Sequence, residues 1–304
     1  LYGRDEQADR EALGQMVEQI YDLEGVLSAT DGESELSALN QAGGEPVQLS
    51  PELAHLLEQA LELCEVTGGA LDITAAPAVR AWGFLSGDYR IPEQEELEEL
   101  QGRIDYTRVE LKDGGWATCP AGMELDLGAV AKGYLGDVLS EWLREAGYSS
   151  ALLDLGQSSI QAVGSKPDGT AWRIGIQDPE GEGYLGVLEL QEGAVGTSGG
   201  YQRYFEEDGV RYWHIMDPDT AAPARSGLTS VTVVGTSGLV CDGLSTALFV
   251  MGLEEGTRFW RDHPDLSFDV IFVAEDGGIY VTAGLEDDFA LADGYKDREV
   301  TVLE

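Results

Sequence analysis

Ser230-Val231-Thr232-Val233-Val234-Gly235-Thr236-Ser237, followed after three residues by Cys241-Asp242-Gly243-Leu244-Ser245-Thr246, is the stretch on which the reading of this chain turns. Val231 to Val234 form a β-branched run that reads as a strand, and a short Gly/Ser turn follows. The expectation is a helix that opens with Asp242 and carries Thr246 one turn on. Positions four apart share a helix face, so a carboxylate and a hydroxyl would point to one spot. Two hard oxygens there suit Mg²⁺, which takes few protein ligands and keeps room for phosphate oxygens. The plainer alternative makes Asp242 a helix cap and Thr246 a packing residue, and on this pair alone it is favoured.

The 304 residues allow one large domain or two small ones, with ample length for a core. A hydrophobic fraction of 43% with 40 Gly and 10 Pro is that of a globular protein. No apolar run is long enough to span a membrane. Leu1-Tyr2-Gly3-Arg4 shows no basic start followed by an apolar core, so no signal peptide is visible. With no initiator Met, the expectation is a start produced by processing or cloning. The net charge of −39 argues against a nucleic-acid partner, because phosphate contacts need clustered Lys and Arg. It also opposes attraction to anionic lipid. The lysines are Lys112, Lys132, Lys166 and Lys296, so any anionic ligand must meet one of few cations or local backbone dipoles. Cys64, Cys119 and Cys241 are far apart among apolar residues with no Cys-x-x-Cys, which argues against a zinc site or a disulfide framework.

Residues 6–27 read as an amphipathic helix with Leu13, Val17, Ile20 and Tyr21 at helical spacing. A short helical piece covers 34–40. Ser50-Pro51-Glu52 is a strong helix start, with Leu53, Leu56, Leu57, Ala60 and Leu63 as the buried stripe and Gly68-Gly69 as the end. Residues 93–101 form an acidic helix, and another runs from about Ala131 to Ala146, stopped by Gly147. Strands are expected around 106–111, 151–155, 160–163, 172–176, 185–190, 211–215, 229–234, 270–274 and 279–282. Helices first and strands after, with no repeat, give an α+β fold: a helical N-terminal part packed on a largely antiparallel sheet, compact or two-lobed.

Gly181-Glu182-Gly183-Tyr184-Leu185-Gly186 mimics a dinucleotide fingerprint, but a strand follows it, so it reads as an acidic hairpin loop. Gly128-Ala129-Val130-Ala131-Lys132-Gly133 has the wrong spacing for a Walker A loop. Lys132 in a first helical turn opposes the helix dipole. Either it meets an anion together with the free amides, or it pairs with Asp126 or Asp137. Gly196-Thr197-Ser198-Gly199-Gly200 could cradle phosphate through its amides or be a plain turn. The segment 68–84 reads as a loop whose Trp82 and Phe84 pack in the core. His55 and His263 look solvent-facing in helices. His214, where a strand meets the Asp217-Pro218 turn, is the candidate base.

In this order the segments resemble the ApbE family of FAD:protein FMN transferases, over nearly the whole chain. The resemblance runs through Ser34 to Asn40, Thr67-Gly68-Gly69-Ala70-Leu71-Asp72-Ile73-Thr74, and Trp82-Gly83-Phe84. It continues through Asp126-Leu127-Gly128 to Lys132-Gly133-Tyr134, Trp172 to Pro179, and Thr197-Ser198-Gly199. His214-Ile215-Met216-Asp217-Pro218, Ser230 to Val233 and Asp242 to Thr246 complete it.

The resemblance implies an α+β enzyme, extracytoplasmic and often lipid-anchored, that uses Mg²⁺. Its substrate is FAD, and it moves FMN onto a Ser/Thr hydroxyl of an acceptor flavoprotein with release of AMP. By the same analogy the metal is held by Asp242, Thr246 and the backbone oxygen of Ala129. FAD contacts fall on Asn40, Ala70, Leu71, Asp72, Asp126, Lys132, Thr197, Ser198 and Trp213, with His214 as base and Asp242 as the second catalytic residue. Leu1-Tyr2-Gly3 resembles the tail of the family's first strand. Three departures bear on the flavin pocket. Gly156-Gln157-Ser158 stands where a Gly-Gly is frequent, Ala221 stands where Gly is usual, and Thr30 where many members carry an aromatic. The alternatives are an FAD pyrophosphatase that uses water as acceptor and a non-catalytic flavin-binding lipoprotein.

Overall fold

The computed structural model describes residues 1–2 and 5–304, so Gly3, part of the expected strand tail, lies outside the described residues. The helices are α1 (Glu6–Leu27), α2 (Glu35–Gln41), α3 (Pro51–Val66), α4 (Ala76–Ala81), α5 (Gln94–Gln101), α6 (Ala131–Glu145) and α7 (Gly238–Asp262). The first strands are β1 (Val47–Gln48), β2 (Glu110–Lys112) and β3 (Trp116–Thr118). Next come β4 (Ala151–Asp154), β5 (Ser159–Val163), β6 (Trp172–Gln177), β7 (Tyr184–Leu190) and β8 (Gly193–Gly199). Then follow β9 (Tyr204–Glu207), β10 (Val210–Trp213), β11 (Met216–Asp217), β12 (Ala222–Pro223) and β13 (Leu228–Gly235). The last are β14 (Asp269–Ala274), β15 (Ile279–Thr282), β16 (Phe289–Leu291) and β17 (Val300–Leu303). The α+β class expected from the element order holds.

The chain divides into two compact units. A sheet unit comprises Leu1–Met16, Lys132–Tyr201 and Ser226–Glu304; a helical unit comprises Val17–Ala131 and Gln202–Arg225. In the sheet unit a seven-stranded sheet runs in the order β17-β15-β14-β13-β8-β5-β4, antiparallel except for the β15–β17 pair. The three-stranded sheet β16-β7-β6 covers one face, with Trp172, Ile174, Ile176 and Leu188 packed against Val195, Ile271, Val273 and Val281. On the other face lies α7. Successive strand residues alternate between faces, so Val231 and Val233, both fully buried, turn toward α7.

That packing explains a correction. The Gly-rich stretch 196–200 is expected as a turn or phosphate loop, yet Gly196 to Gly199 lie in the central strand β8. Helix α7 sits so close to β8 that a Cβ on Gly196 would fall 2.5 Å from the carbonyl carbon of Cys241. Glycine is there for helix–sheet approach, not for a turn.

The helical unit buries Leu36, Leu39, Leu53, Leu56, Leu57, Met123, Leu125 and Leu127. Helix α3 starts as expected, with the Ser50 hydroxyl accepting from the Leu53 N–H and Pro51 in the first turn, a cap worth about 1 kcal/mol. The segment 76–81, expected as loop, is helix α4. Its C-terminal end brings Trp82 and Phe84 into the core, as read, where Trp82 stacks on Tyr212 with ring centroids 5.3 Å apart. Residues 106–108 form a 3₁₀ turn before β2 rather than the start of the expected strand.

Two further expectations fail. On α1 the residues turned inward are Ala12, Met16 and Leu27, while Leu13, Val17 and Tyr21 are exposed. The partner is distant in the chain: the Tyr148 hydroxyl donates to the Ala8 carbonyl and, at 2.9 Å, to Asp9, on the side of α1 that carries Ala12 and Met16. His263 is not simply solvent-facing. It ends α7 half-buried, stacked on Phe259 at 4.1 Å. Among the described residues no helix is long and apolar enough to cross a membrane.

Candidate active site

Helix α7 does not open with Asp242. Its N-cap is Ser237, whose hydroxyl accepts from the Val240 N–H, and Asp242 lies a full turn inside. The cap reading of Asp242 on its own helix is therefore corrected. The carboxylate instead receives the Gly133 N–H at 2.7 Å, one of the first-turn amides of α6 that have no partner within their own helix. Ser159 of β5 places its hydroxyl 2.8 and 2.7 Å from the two carboxylate oxygens. Asp242 is buried, and desolvation drives its pKa up to about 7, against the lowering influence of Ser159, the Lys132 charge and the Gly133 N–H.

A row of hydroxyls continues from there. Ser198 on β8 lies 2.8 Å from the Ser245 hydroxyl and 3.1 Å from that of Thr246, and Ser245 donates to the Asp242 carbonyl at 2.8 Å. Asp242 and Thr246 thus share the α7 face turned to β5 and β8, as the spacing requires. Thr197 does not join them. Its hydroxyl pairs with Thr232 at 3.0 Å, on the opposite face of the sheet, while its N–H donates to the Ser158 carbonyl at 2.8 Å. Lys132 donates to the Ser158 hydroxyl, and Asp137 is engaged with the start of α7, so the Lys132–Asp137 pairing is not formed.

The donor set fits Mg²⁺. Ser159 and Gly133 supply two protons to a carboxylate with about four acceptor positions, so acceptor capacity remains beside the Thr246 oxygen. All are hard oxygens. Among the described residues no cluster of three or more His, Cys, Asp or Glu exists, so a site here would rely on one carboxylate with hydroxyl and carbonyl oxygens.

The remaining site residues belong to the helical unit. Asn40 clamps the backbone of Leu125, donating to its carbonyl at 2.9 Å and accepting from its N–H at 2.7 Å. Asp72 accepts from the Thr74 N–H and hydroxyl and from the Tyr106 N–H, while burial raises its pKa. The Leu71 N–H reaches the Thr67 hydroxyl at 3.3 Å, and the Ala70 N–H the Thr67 carbonyl at 3.2 Å. Asp126 donates its N–H to Ile73 and accepts from the Gly128 N–H at 2.8 Å, shaping the turn that contains Ala129. Trp213 is buried beneath the Arg225 guanidinium, 4.6 Å from its ring. His214 lies with Nδ1 3.3 Å from the Arg203 carbonyl, which favours a proton on Nδ1 and leaves the basic lone pair on Nε2.

Sequence reasoning missed Ser158, Ser159 and Ser245 as site residues and the role of Asp137. Ser158-Ser159 follows a turn in which both Gly156 and Gln157 have positive φ, a signal that the chain reverses there. Asp137 lies in Gly133-x-x-x-Asp137, a spacing repeated in Gly238-x-x-x-Asp242.

The family model of the ApbE family matches residues 4–270. The FAD:protein FMN transferase of Treponema pallidum (strain Nichols) is 37% identical over 294 residues, covering 91% of this chain and 80% of that protein. The enzyme of the same name from Vibrio cholerae is 34% identical over 250 residues, covering 80% and 73%. Among solved structures, the ApbE protein of Thermotoga maritima superposes with a TM-score of 0.84 at 31% identity, covering 95% of this chain and 92% of that one. The apo flavinyl transferase ApbE of Pseudomonas stutzeri gives 0.79 at 30% identity, covering 88% and 84%. The chain belongs to the ApbE family.

Proposed function

We propose that this protein is an FAD:protein FMN transferase that uses Mg²⁺ and modifies a Ser or Thr hydroxyl of an acceptor flavoprotein. The observation that carries the reading is Asp242: a desolvated carboxylate with acceptor capacity left, beside Ser159, Ser198 and Thr246 and near the Lys132 charge. Ser159 and the Gly133 N–H meet only part of the acceptor capacity of this buried carboxylate, so a cation-binding role accounts for its place better than packing does.

Asp242 and Thr246 would hold the metal, with the Ala129 carbonyl as a further oxygen. When bound, the ion supplies Lewis-acid polarisation of the pyrophosphate oxygens. The chain's own residues do the rest. Lys132 and the first-turn amides of α6 offset negative charge, supplying the positive potential that the acidic surface lacks. The acceptor hydroxyl oxygen forms a bond to the phosphorus of the FMN half of FAD, and the bond from that phosphorus to the AMP phosphate breaks. The hydroxyl proton passes to Nε2 of His214, and AMP leaves. Asn40, Asp72 and Asp126 act on FAD through the backbone they hold: Leu125, Thr74 with Tyr106, and Gly128. An extracytoplasmic, lipid-anchored location belongs to the same proposal and rests on the family resemblance; fractionation of cells making the native protein tests it.

The decisive assay incubates the protein with FAD, Mg²⁺ and a domain carrying the target hydroxyl. Flavin fluorescence on the target with AMP release is the expected result. AMP and free FMN without labelling would make the protein a pyrophosphatase, and retained FAD without either product would make it a binder.

A further inference from the structure

The helices that carry Lys132 and Asp242 are latched to each other by a residue with no part in the transfer chemistry. Asp137 on α6 accepts the Gly238 N–H at 2.7 Å, the Leu239 N–H at 3.0 Å and the Ser237 hydroxyl at 2.9 Å, all at the start of α7. In return, Asp242 on α7 accepts the Gly133 N–H at the start of α6 at 2.7 Å. Each carboxylate sits four residues after the glycine whose amide is donated to the other helix's carboxylate. The connections close a ring: Asp137 to Gly238, along one turn of α7 to Asp242, across to Gly133, and along one turn of α6 back to Asp137. Inside the ring the two glycines stand so close that a Cβ on either would clash with the main chain of the other.

We propose that Asp137 is a positioning residue for Asp242, setting the height of the first turn of α7 so that the carboxylate meets Ser159 and the cation together. This rests on the reading of Asp242 as a metal ligand. Asp137 touches neither FAD nor the metal in that reading. It acts through α7, and its loss leaves the amides of Gly238 and Leu239 without an acceptor while the turn that aims Asp242 loosens.

The test uses metal-free protein and Mn²⁺ as probe, with free Mn²⁺ followed by its paramagnetic resonance in the absence of FAD. Asp137→Ala is expected to weaken Mn²⁺ binding by about tenfold to a hundredfold, the usual effect of removing a group that orients a metal ligand. Turnover at saturating metal should fall far less. Asp137→Asn keeps an amide oxygen as acceptor and should recover most of the affinity. Ser237→Ala removes one of three contacts and should cost less than Asp137→Ala. A Leu188→Ala control, destabilised in the core of the sheet unit, should bind Mn²⁺ as the unaltered protein does. Unchanged Mn²⁺ affinity in Asp137→Ala, or an equal loss in Leu188→Ala, overturns the positioning role and leaves the transferase reading intact. Should Asp137→Ala fail to fold, Mn²⁺ affinity in Ser237→Ala unchanged from that of the unaltered protein overturns it equally. No Mn²⁺ uptake by the unaltered protein would remove the metal site and the positioning role with it.

Discussion

Gly133 and Gly238 stand backbone to backbone: a Cβ on Gly133 would lie 2.0 Å from the Gly238 carbonyl oxygen, and one on Gly238 2.4 Å from that of Gly133. The clash is with main chain, which cannot rotate away. Gly133→Ala is therefore expected to cost about 3 kcal/mol or more in urea unfolding and to abolish turnover, since the two helix starts must separate. Gly14, exposed in α1 with open space around its Cβ position, is the counterpart. Gly14→Ala should raise stability by about 0.5–1 kcal/mol. Equal effects of the two substitutions would contradict this packing.

Burial raises the Asp242 pKa to about 7, well above the usual carboxylate value of about 3.9. In that window the native state holds a proton that the unfolded chain has released, so stability of the metal-free protein falls as pH rises from about 4 to about 7 and then levels. At about 1.4 kcal/mol per pKa unit the full loss is on the order of 4 kcal/mol. Asp242→Asn cannot titrate and should flatten that part of the curve. The check is urea denaturation in chelator at pH values across the window, and an unchanged slope in the Asn variant would refute the assignment. Asp242→Ala should also abolish Mg²⁺-dependent turnover.

His214→Ala should retain FAD, measured by quenching of flavin fluorescence, while FMN transfer falls by about 10²- to 10⁴-fold. The Nδ1 contact to the Arg203 carbonyl favours Nε2 as the proton acceptor. A variant that transfers FMN at an undiminished rate would take the base role away from His214.

Gln157 has φ of 68° in an exposed turn, a conformation that costs a non-glycine residue about 1–2 kcal/mol. Gln157→Gly removes that strain and adds backbone entropy to the unfolded chain, for a net gain of about 0.5–1 kcal/mol. Chemical denaturation measures it directly. A loss of stability would mean that the side chain makes a contact worth more than the strain.

Elements with strong local signals were legible. Ser50-Pro51 starts α3 and Gly147 stops α6 because caps and breakers act within a few residues. The Asp242–Thr246 spacing was legible for the same reason. What escaped depended on partners distant in the chain. Ser159 reaches Asp242 across 83 positions and Asp137 reaches Gly238 across 101, so neither role has a local signature. Gly196 reads as a turn residue until α7 is laid on β8. The α1 stripe failed because a second helical stripe, with Ala12 and Met16, lies beside the expected one on the side that Tyr148 bonds from 139 positions away.

Cys64 and Cys119 lie in the helical unit and Cys241 in the sheet unit, all three free and buried. Burial pushes the first two thiols up to about 12 and about 11, and Cys241 well above its ordinary value. Only the thiolate attacks an alkylating reagent, so the folded protein is shielded twice, by access and by protonation. The molecule thereby carries its own clock for local opening: mass spectrometry after timed alkylation reports the exposure of each unit separately. Cys241, pinned between α7 and the Ala194 carbonyl, times the lifting of that helix from its sheet.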